Sequence, residues 1–181
     1  MSHPSVRGVA FDGRYIILGP TDKGVWFFDP ETERYRRPVY TNGDVRNASE
    51  NDFIDHLAVM RNGDIVVAGR FHPYRIEANT YRMDFIDFPG DNSNMNAVCQ
   101  DAAGQVWLGS HTGVFCLDER YQLRKFYPSE AVFCFLSNQN NEEMLVGTDR
   151  GLRRISLKSD IAKTDSVPTP LEGTGVTYLI S

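Results

Sequence analysis

Long apolar runs are missing from this 181-residue chain: no stretch approaches the about 20 residues that cross a bilayer as a helix. The N-terminus, Met1-Ser2-His3-Pro4-Ser5, has no apolar core, so no secretory signal stands in this chain and export would rely on one outside it. Basic charge is also scarce. A net charge of −5 and a pI near 5.3 argue against a nucleic acid or an anionic membrane surface as partner. Cysteine is limited to Cys99, Cys116 and Cys134, too few for a disulfide framework. Each sits among apolar neighbours (Val98-Cys99, Phe115-Cys116-Leu117, Phe133-Cys134-Phe135) and reads as a small buried hydrophobe with a free thiol. A reactive thiol would want Lys, Arg or His nearby, and only His111 near Cys116 offers that. The four histidines, His3, His56, His72 and His111, lack metal-ligand spacing, and neither His-Glu-x-x-His nor Cys-x-x-Cys occurs. No metal or other cofactor is therefore expected. A Gly-x-Ser-x-Gly nucleophile elbow is absent, so no catalytic residue is assigned. Glu142-Glu143 reads as solvated surface, and Asn47-Ala48-Ser49 is a sequon of the kind that arises by chance.

What the chain does have is repetition. A strand–Gly–turn–Gly–strand unit recurs four times, most clearly as Val106-Trp107-Leu108-Gly109-Ser110-His111-Thr112-Gly113-Val114-Phe115. The other copies are Ile16–Gly19 with Gly24-Val25-Trp26, Val66–Gly69 with Tyr74-Arg75-Ile76, and Leu145–Thr148 with Gly151-Leu152. Aligned on Gly19, Gly69, Gly109 and Gly147, the units are 50, 40 and 38 residues apart. Four strands per 40 to 50 residues is the signature of an all-β propeller, one blade per repeat. A hydrophobic content of 41% and 12% aromatics suit such a folded chain.

The strands can be placed from turn chemistry. In the third unit they are 96–100, 105–108, 113–117 and 122–126, with Asp101-Ala102-Ala103-Gly104 as the first hairpin. Asp12-Gly13 and Asn62-Gly63 mark that turn in the earlier units, whereas the fourth has the polar loop Ser137–Glu143. Second strands are apolar on both faces, as blades packed face to face require, with Trp107 expected between neighbouring blades. Outer strands such as Tyr35-Arg36-Arg37 and Gln122–Phe126 carry charge that suits a solvated edge. A β-sandwich is the competing fold and explains this inside-to-outside gradient less well. The expected blades span 5–38, 53–86, 95–127 and 131–158. Residues 175–181 read as the first strand of a further repeat, so the chain looks like a fragment of a larger propeller. Blade faces around Tyr15–Leu18 and Met144–Val146 would then lack neighbours and favour self-association through Val176–Ile180, or packing on the remaining blades of a parent chain. Closure of four blades into a small ring is the alternative.

The third unit resembles the two-component regulator propeller repeat, apolar-x-x-Asp-x-x-Gly-x-apolar-Trp-x-Gly-Thr-x-x-Gly-apolar. Asp101, Gly104, Trp107, Gly109 and Gly113 match, and Ser110 replaces Thr. The fourth unit keeps Gly147-Thr148-Asp149-Arg150-Gly151-Leu152 but loses the Asp-x-x-Gly turn. The resemblance implies a periplasmic sensor region of a hybrid two-component histidine kinase or regulator, of the kind that senses oligosaccharides.

In a propeller, the loops between second and third strands share a face with the blade crossings, where binding clefts form. Here they carry Thr21-Asp22-Lys23, Arg70-Phe71-His72-Pro73-Tyr74, Ser110-His111-Thr112 and Thr148-Asp149-Arg150. Aromatic faces beside Arg, His and Asp suit a sugar, so Arg70, His72, Tyr74, His111, Asp149 and Arg150 are the candidate ligand residues. Arg70–Tyr74 looks specialised, with Pro73 where other repeats use Gly. A non-enzymatic sensor is the primary reading. A lyase- or lactonase-type propeller enzyme, needing His72, His111 and Asp149 to converge, and a protein-interaction scaffold remain as alternatives.

Overall fold

The computed structural model describes residues 5–21, 23–87, 94–137, 142–158, 164–168 and 174–177. The chain divides into two compact units, Met1–Asp87 and Phe88–Ser181. Each unit holds two four-stranded antiparallel meanders, so the fold class is that of a partial β-propeller. The first blade is β1 (Val6–Phe11), β2 (Ile16–Pro20), β3 (Trp26–Asp29) and β4 (Arg34–Arg36). Next come β5 (Val39–Tyr40) and the helix α1 (Gly43–Glu50), then the second blade: β6 (Ile54–Val59), β7 (Ile65–Gly69), β8 (Pro73–Ile76) and β9 (Arg82–Phe85). The second unit contains β10 (Met95–Gln100), β11 (Val106–Ser110), β12 (Gly113–Leu117) and β13 (Leu123–Pro128). These are followed by β14 (Val132–Ser137), β15 (Glu143–Thr148), β16 (Gly151–Ser156) and β17 (Asp165–Ser166). The fourth blade thus takes its outer strand from beyond residue 158, where the sequence reading ended it. Residues 138–141 of the Ser137–Glu143 loop, and 178–181 of the expected further strand, lie outside the described residues.

Every inner strand carries a β-bulge at the same place, between Val6 and Gly8, Ile54 and His56, Met95 and Ala97, and Val132 and Cys134. The bulge fixes which residues are equivalent. Gly19, Ala68, Gly109 and Gly147 lie opposite its far side; Pro20, Gly69, Ser110 and Thr148 lie opposite its near side. The sequence alignment on Gly69 is therefore one residue out of register: the second repeat's counterpart of Gly109 is Ala68, and Gly69 stands where the third and fourth repeats have Ser or Thr. A one-residue shift exchanges the two faces of a strand, so Ala68, not Gly69, shares its face with Gly19, Gly109 and Gly147.

Packing within each unit follows from those faces. In the first, Tyr15, Ile17 and Phe27 pack into one core with Ile54, Ile65, Val67, Tyr74, Ile76 and Met83. In the second, Trp107, Val114, Cys116 and Tyr127 pack with Val132, Met144, Val146 and Ile155. Trp107 is 1% exposed and lies between the two blades, as the sequence implies. Its indole N–H also donates to Asp101 Oδ2 at 2.9 Å, and Asp101 Oδ1 accepts the Gln105 N–H. That clasp is why Asp and Trp sit six residues apart in the repeat. Close blade contact explains the glycines: a methyl group at Gly19 would come within 2.5 Å of Ile54 Cγ2, and one at Gly109 within 2.5 Å of Val132 Cγ1. Val176 meets Gly147 in the same way, and its N–H donates to Thr148 O at 2.7 Å.

The outer strands depart from a simple solvated edge. The Arg36 guanidinium lies 4.4 Å from the ring centres of both Tyr15 and Tyr81, and Arg37 stacks 3.8 Å over Trp26. These cations cover aromatic surface, which sequence polarity alone cannot show. β9 is not an edge either, because β5 pairs with it in parallel. On the first blade one face carries Val9, Phe11, Ile16, Leu18, Trp26, Phe28 and Tyr35, with Val9 61% and Phe11 58% exposed. The opposite face, with Tyr15 and Ile17, is buried, as are Met144 and Val146; of the surface expected around Tyr15–Leu18 and Met144–Val146, only Ile16, Leu18 and Leu145 reach solvent, and these are half-buried.

Candidate functional site

The bulge register also aligns the loops. After Gly69, Ser110 and Thr148, the next two residues form the tip: Arg70-Phe71, His111-Thr112 and Asp149-Arg150. Phe71, His111, Thr112, Asp149 and Arg150 are exposed and Arg70 is half-buried. The residue after the tip is His72, Gly113 or Gly151, the two glycines having positive φ. Pro73 is thus equivalent to Val114 and Leu152, not to a glycine. In the first blade Asp22 lies outside the described residues.

A side-chain hydroxyl closes two of these loops. Ser110 Oγ accepts the Thr112 N–H at 3.1 Å and donates to Gly113 O at 3.1 Å. Thr148 Oγ1 does the same with the Arg150 N–H, 3.2 Å, and Gly151 O, 2.9 Å. Gly69 has no hydroxyl, and Asp52, fully buried, fills its place. Its carboxylate accepts the N–H of Phe71 at 3.0 Å and of His72 at 3.3 Å, the Tyr74 hydroxyl at 2.9 Å and the Phe53 N–H at 2.8 Å. A side chain at Gly69 would strike Asp52 and the His72 carbonyl, so glycine here makes room for the carboxylate. Burial pushes the Asp52 carboxyl up from its ordinary value, against the downward pull of those four donors.

Asp52 is delivered by α1. Asn42 caps the helix, its Oδ1 accepting the Asp44 and Val45 N–H groups at 2.9 Å each. Val45 and Ser49 are buried, Ser49 Oγ contacts Met83 Sδ at 3.4 Å, and the Asp52 N–H closes on Ser49 O. The helix was not expected; Asn42 with Asp44 two residues on is the signal that marks it.

The candidate ligand residues separate by unit. In the second, His111, Asp149 and Arg150 line one open cleft of about 640 Å³ together with Ser129, Glu130 and Arg153. Arg153 pairs with Glu130, and Ser129 Oγ donates to the same carboxylate at 3.1 Å. Burial raises the Glu130 carboxyl, but these donors, with its own backbone N–H, outweigh it and hold the group below its ordinary 4.5. The His111 ring lies edge-on to Phe133 at 6.5 Å. In the first unit, the Arg70 guanidinium stacks 4.3 Å over Phe53, and the His72 ring packs on Phe85 at 4.8 Å. Tyr74 is wholly buried with its hydroxyl on Asp52, so its assignment to the ligand is corrected: it is a mid-strand core residue. The aromatic that faces solvent from this loop is Phe71, 51% exposed, which sequence reading left among the loop residues without singling out.

Meandering four-stranded blades, repeated bulges and glycine contacts to the next inner strand define a propeller. Within that class, residues 89–112 match the two component regulator propeller model, so this segment is similar to a repeat of that family. The chain is similar to two solved B. thetaiotaomicron structures, each described as the extracellular domain of a hybrid two component system. One is 18% identical with a TM-score of 0.72, covering 96% of this chain and 23% of its own. The other is 14% identical with a TM-score of 0.73, covering 97% and 24%. The virginiamycin B lyase of Staphylococcus aureus is 12% identical with a TM-score of 0.69, covering 93% of this chain and 57% of its own. The chain spans about a quarter of the length of those two extracellular domains. No curated protein sequence matches it. Among the described residues no helix is long and apolar enough to cross a membrane.

Proposed function

We propose that this chain is part of the extracytoplasmic, periplasmic sensor propeller of a two-component system, and that it binds an oligosaccharide without turning it over. The observation that carries the reading is the cleft in which His111, Asp149 and Arg150 meet beside a family-matching repeat. Its lining offers charged donors and acceptors around an open groove, the chemistry that holds a hydroxylated ligand by its rim. The one carboxylate paired within it, Glu130, is held low by Arg153 and suits positioning of that arginine better than proton delivery. The likeness to the lyase supports a shared fold. His72, which a lyase or lactonase site would recruit, spends its ring on Phe85 and Tyr74 within the first unit.

Titration calorimetry with maltohexaose, cellohexaose and hexagalacturonate tests this. Binding of at least one, weakened tenfold or more in Arg150→Ala and Asp149→Asn, is expected, since a hydrogen bond to a charged group contributes roughly 1.5–3 kcal/mol. Binding unaffected by either variant refutes the cleft, and product formation refutes the non-enzymatic reading.

A further inference from the structure

The second repeat has the same two tip positions as the third and fourth, but fills them with Arg70 and Phe71 and holds them by different means. A half-exposed phenylalanine at a loop tip leaves apolar surface in water that a polar residue would not. Its backbone is not free to tuck the ring away. The Phe71 and His72 N–H groups are both tied to the buried Asp52 carboxylate, and Pro73, buried, fixes the exit into β8. Arg70 beside it is held by stacking on Phe53. A passive turn needs none of this, as Ser110 and Thr148 close theirs with one hydroxyl. Burying a carboxylate is costly, and here three of the four donors it accepts, the Phe71 and His72 N–H groups and the Tyr74 hydroxyl, belong to this loop and the strand residue that follows it, the fourth being the neighbouring Phe53 N–H.

We propose that Phe71 is a stacking platform for the apolar face of a pyranose ring, with the Arg70 guanidinium as donor to that ring's oxygens, and that Asp52 is the positioning residue that presents them. A sugar ring has an axial C–H face that packs on an aromatic ring and an equatorial rim that hydrogen-bonds, and a fixed aromatic beside a fixed guanidinium matches both. This subsite rests on the oligosaccharide reading above and adds a contact surface in the first unit, at Phe71.

The test uses the whole chain with maltohexaose, cellohexaose and hexagalacturonate. Phe71→Ala is expected to weaken binding at least tenfold with an unchanged melting temperature, because the side chain is exposed. Phe71→Trp is expected to keep affinity and to change its emission on titration. Asp52→Asn is expected to weaken binding as well and to speed amide hydrogen exchange at Phe71 and His72. Phe71→Ala leaves that exchange slow, which separates positioning from contact. Wild-type affinity in Phe71→Ala alongside lost binding in Arg150→Ala overturns the subsite and leaves the cleft standing. Failure of the wild type to bind any of the three sugars overturns both.

Discussion

Trp107 offers the sharpest test of how the repeat is built, because its two contributions can be removed separately. The side chain is 1% exposed, packs with Tyr127 at a ring separation of 5.7 Å, and belongs to the core shared with Val132, Met144, Val146 and Ile155. Trp107→Ala empties that space and is expected to cost about 3–5 kcal/mol. Trp107→Phe keeps much of the apolar contact but removes the donor to Asp101 Oδ2, leaving a buried carboxylate oxygen unpaired at a cost of about 1–3 kcal/mol. Asp101→Asn is isosteric, yet it turns one of two accepting oxygens into a donor facing either the indole or the Gln105 N–H. If the clasp is real, the double variant Trp107→Phe/Asp101→Asn loses less than the two single losses added together, because the partners act on each other. Urea denaturation followed by far-ultraviolet circular dichroism reads all three. Melting-temperature shifts of about 2–4 °C per kcal/mol are expected for a chain of this size. Additive losses, or a Trp107→Phe variant as stable as wild type, would refute the clasp and reduce the Asp–Trp pattern to two unrelated positions.

Gly109→Ala is expected to destabilise by about 1–3 kcal/mol through its collision with Val132, and Val132→Ala to recover part of that loss; thermal melts of the single and double variants check it. All three thiols are free in the structure, and burial pushes Cys116 up to about 12, so a disulfide reagent at pH 8 should leave Cys116 unreacted in the native chain and count three thiols per chain in denaturant. Glu130 is held below 4.5 when folded, so its pairing stabilises the chain above that pH and the contribution is lost as pH falls through the lowered value; Glu130→Gln should flatten stability against pH in that acid range and nowhere else. The apolar face of Val9, Phe11, Leu18 and Phe28 contributes about 25 cal/mol per Å² when covered, so the 181-residue chain by itself is expected to associate with concentration; light scattering that shows a monomer throughout a dilution series, with no apolar-dye binding, contradicts this.

The repeat framework was legible because it rests on local rules. Gly104 with φ +88° marks a hairpin, the doubly apolar Val106–Leu108 marks a strand buried on both faces, and the Asp101–Gly113 spacing marks the blade. The register of the second repeat was not legible, since Ala68-Gly69 offers two small residues and only the bulge between Ile54 and His56 decides which one is the counterpart of Gly109. The helix Gly43–Glu50 escaped because its mean polarity resembles a loop, and Val45 and Ser49 are its whole buried face. The partial solvation of the outer strands escaped for a related reason: Arg36 and Arg37 are charged in sequence but lie on aromatic rings in space.

Half of the candidate site followed from loop position, and the other half depended on that same register. His111, Asp149 and Arg150 could be named because their loops keep Ser or Thr before the tip and Gly after it, which fixes which residues project. The second repeat replaces both flanking residues, so Arg70–Tyr74 reads as one continuous loop in which nothing marks where the tip ends and the strand begins, and Tyr74 is taken for a loop aromatic. With Gly69 set opposite Ile54, the tip becomes Arg70-Phe71, and Tyr74 becomes the equivalent of Phe115, paired across to Val67 as Phe115 is to Leu108. The physical reason for the exception is then visible in one atom set. A hydroxyl at this position organises a loop from within its own strand. A carboxylate supplied by α1 can do so only where the strand residue has no side chain at all. The Gly69–Asp52 exchange therefore couples the unforeseen helix to the tip, and a change at Ser49 or Val45 should reach Phe71 through Asp52 without touching any loop residue.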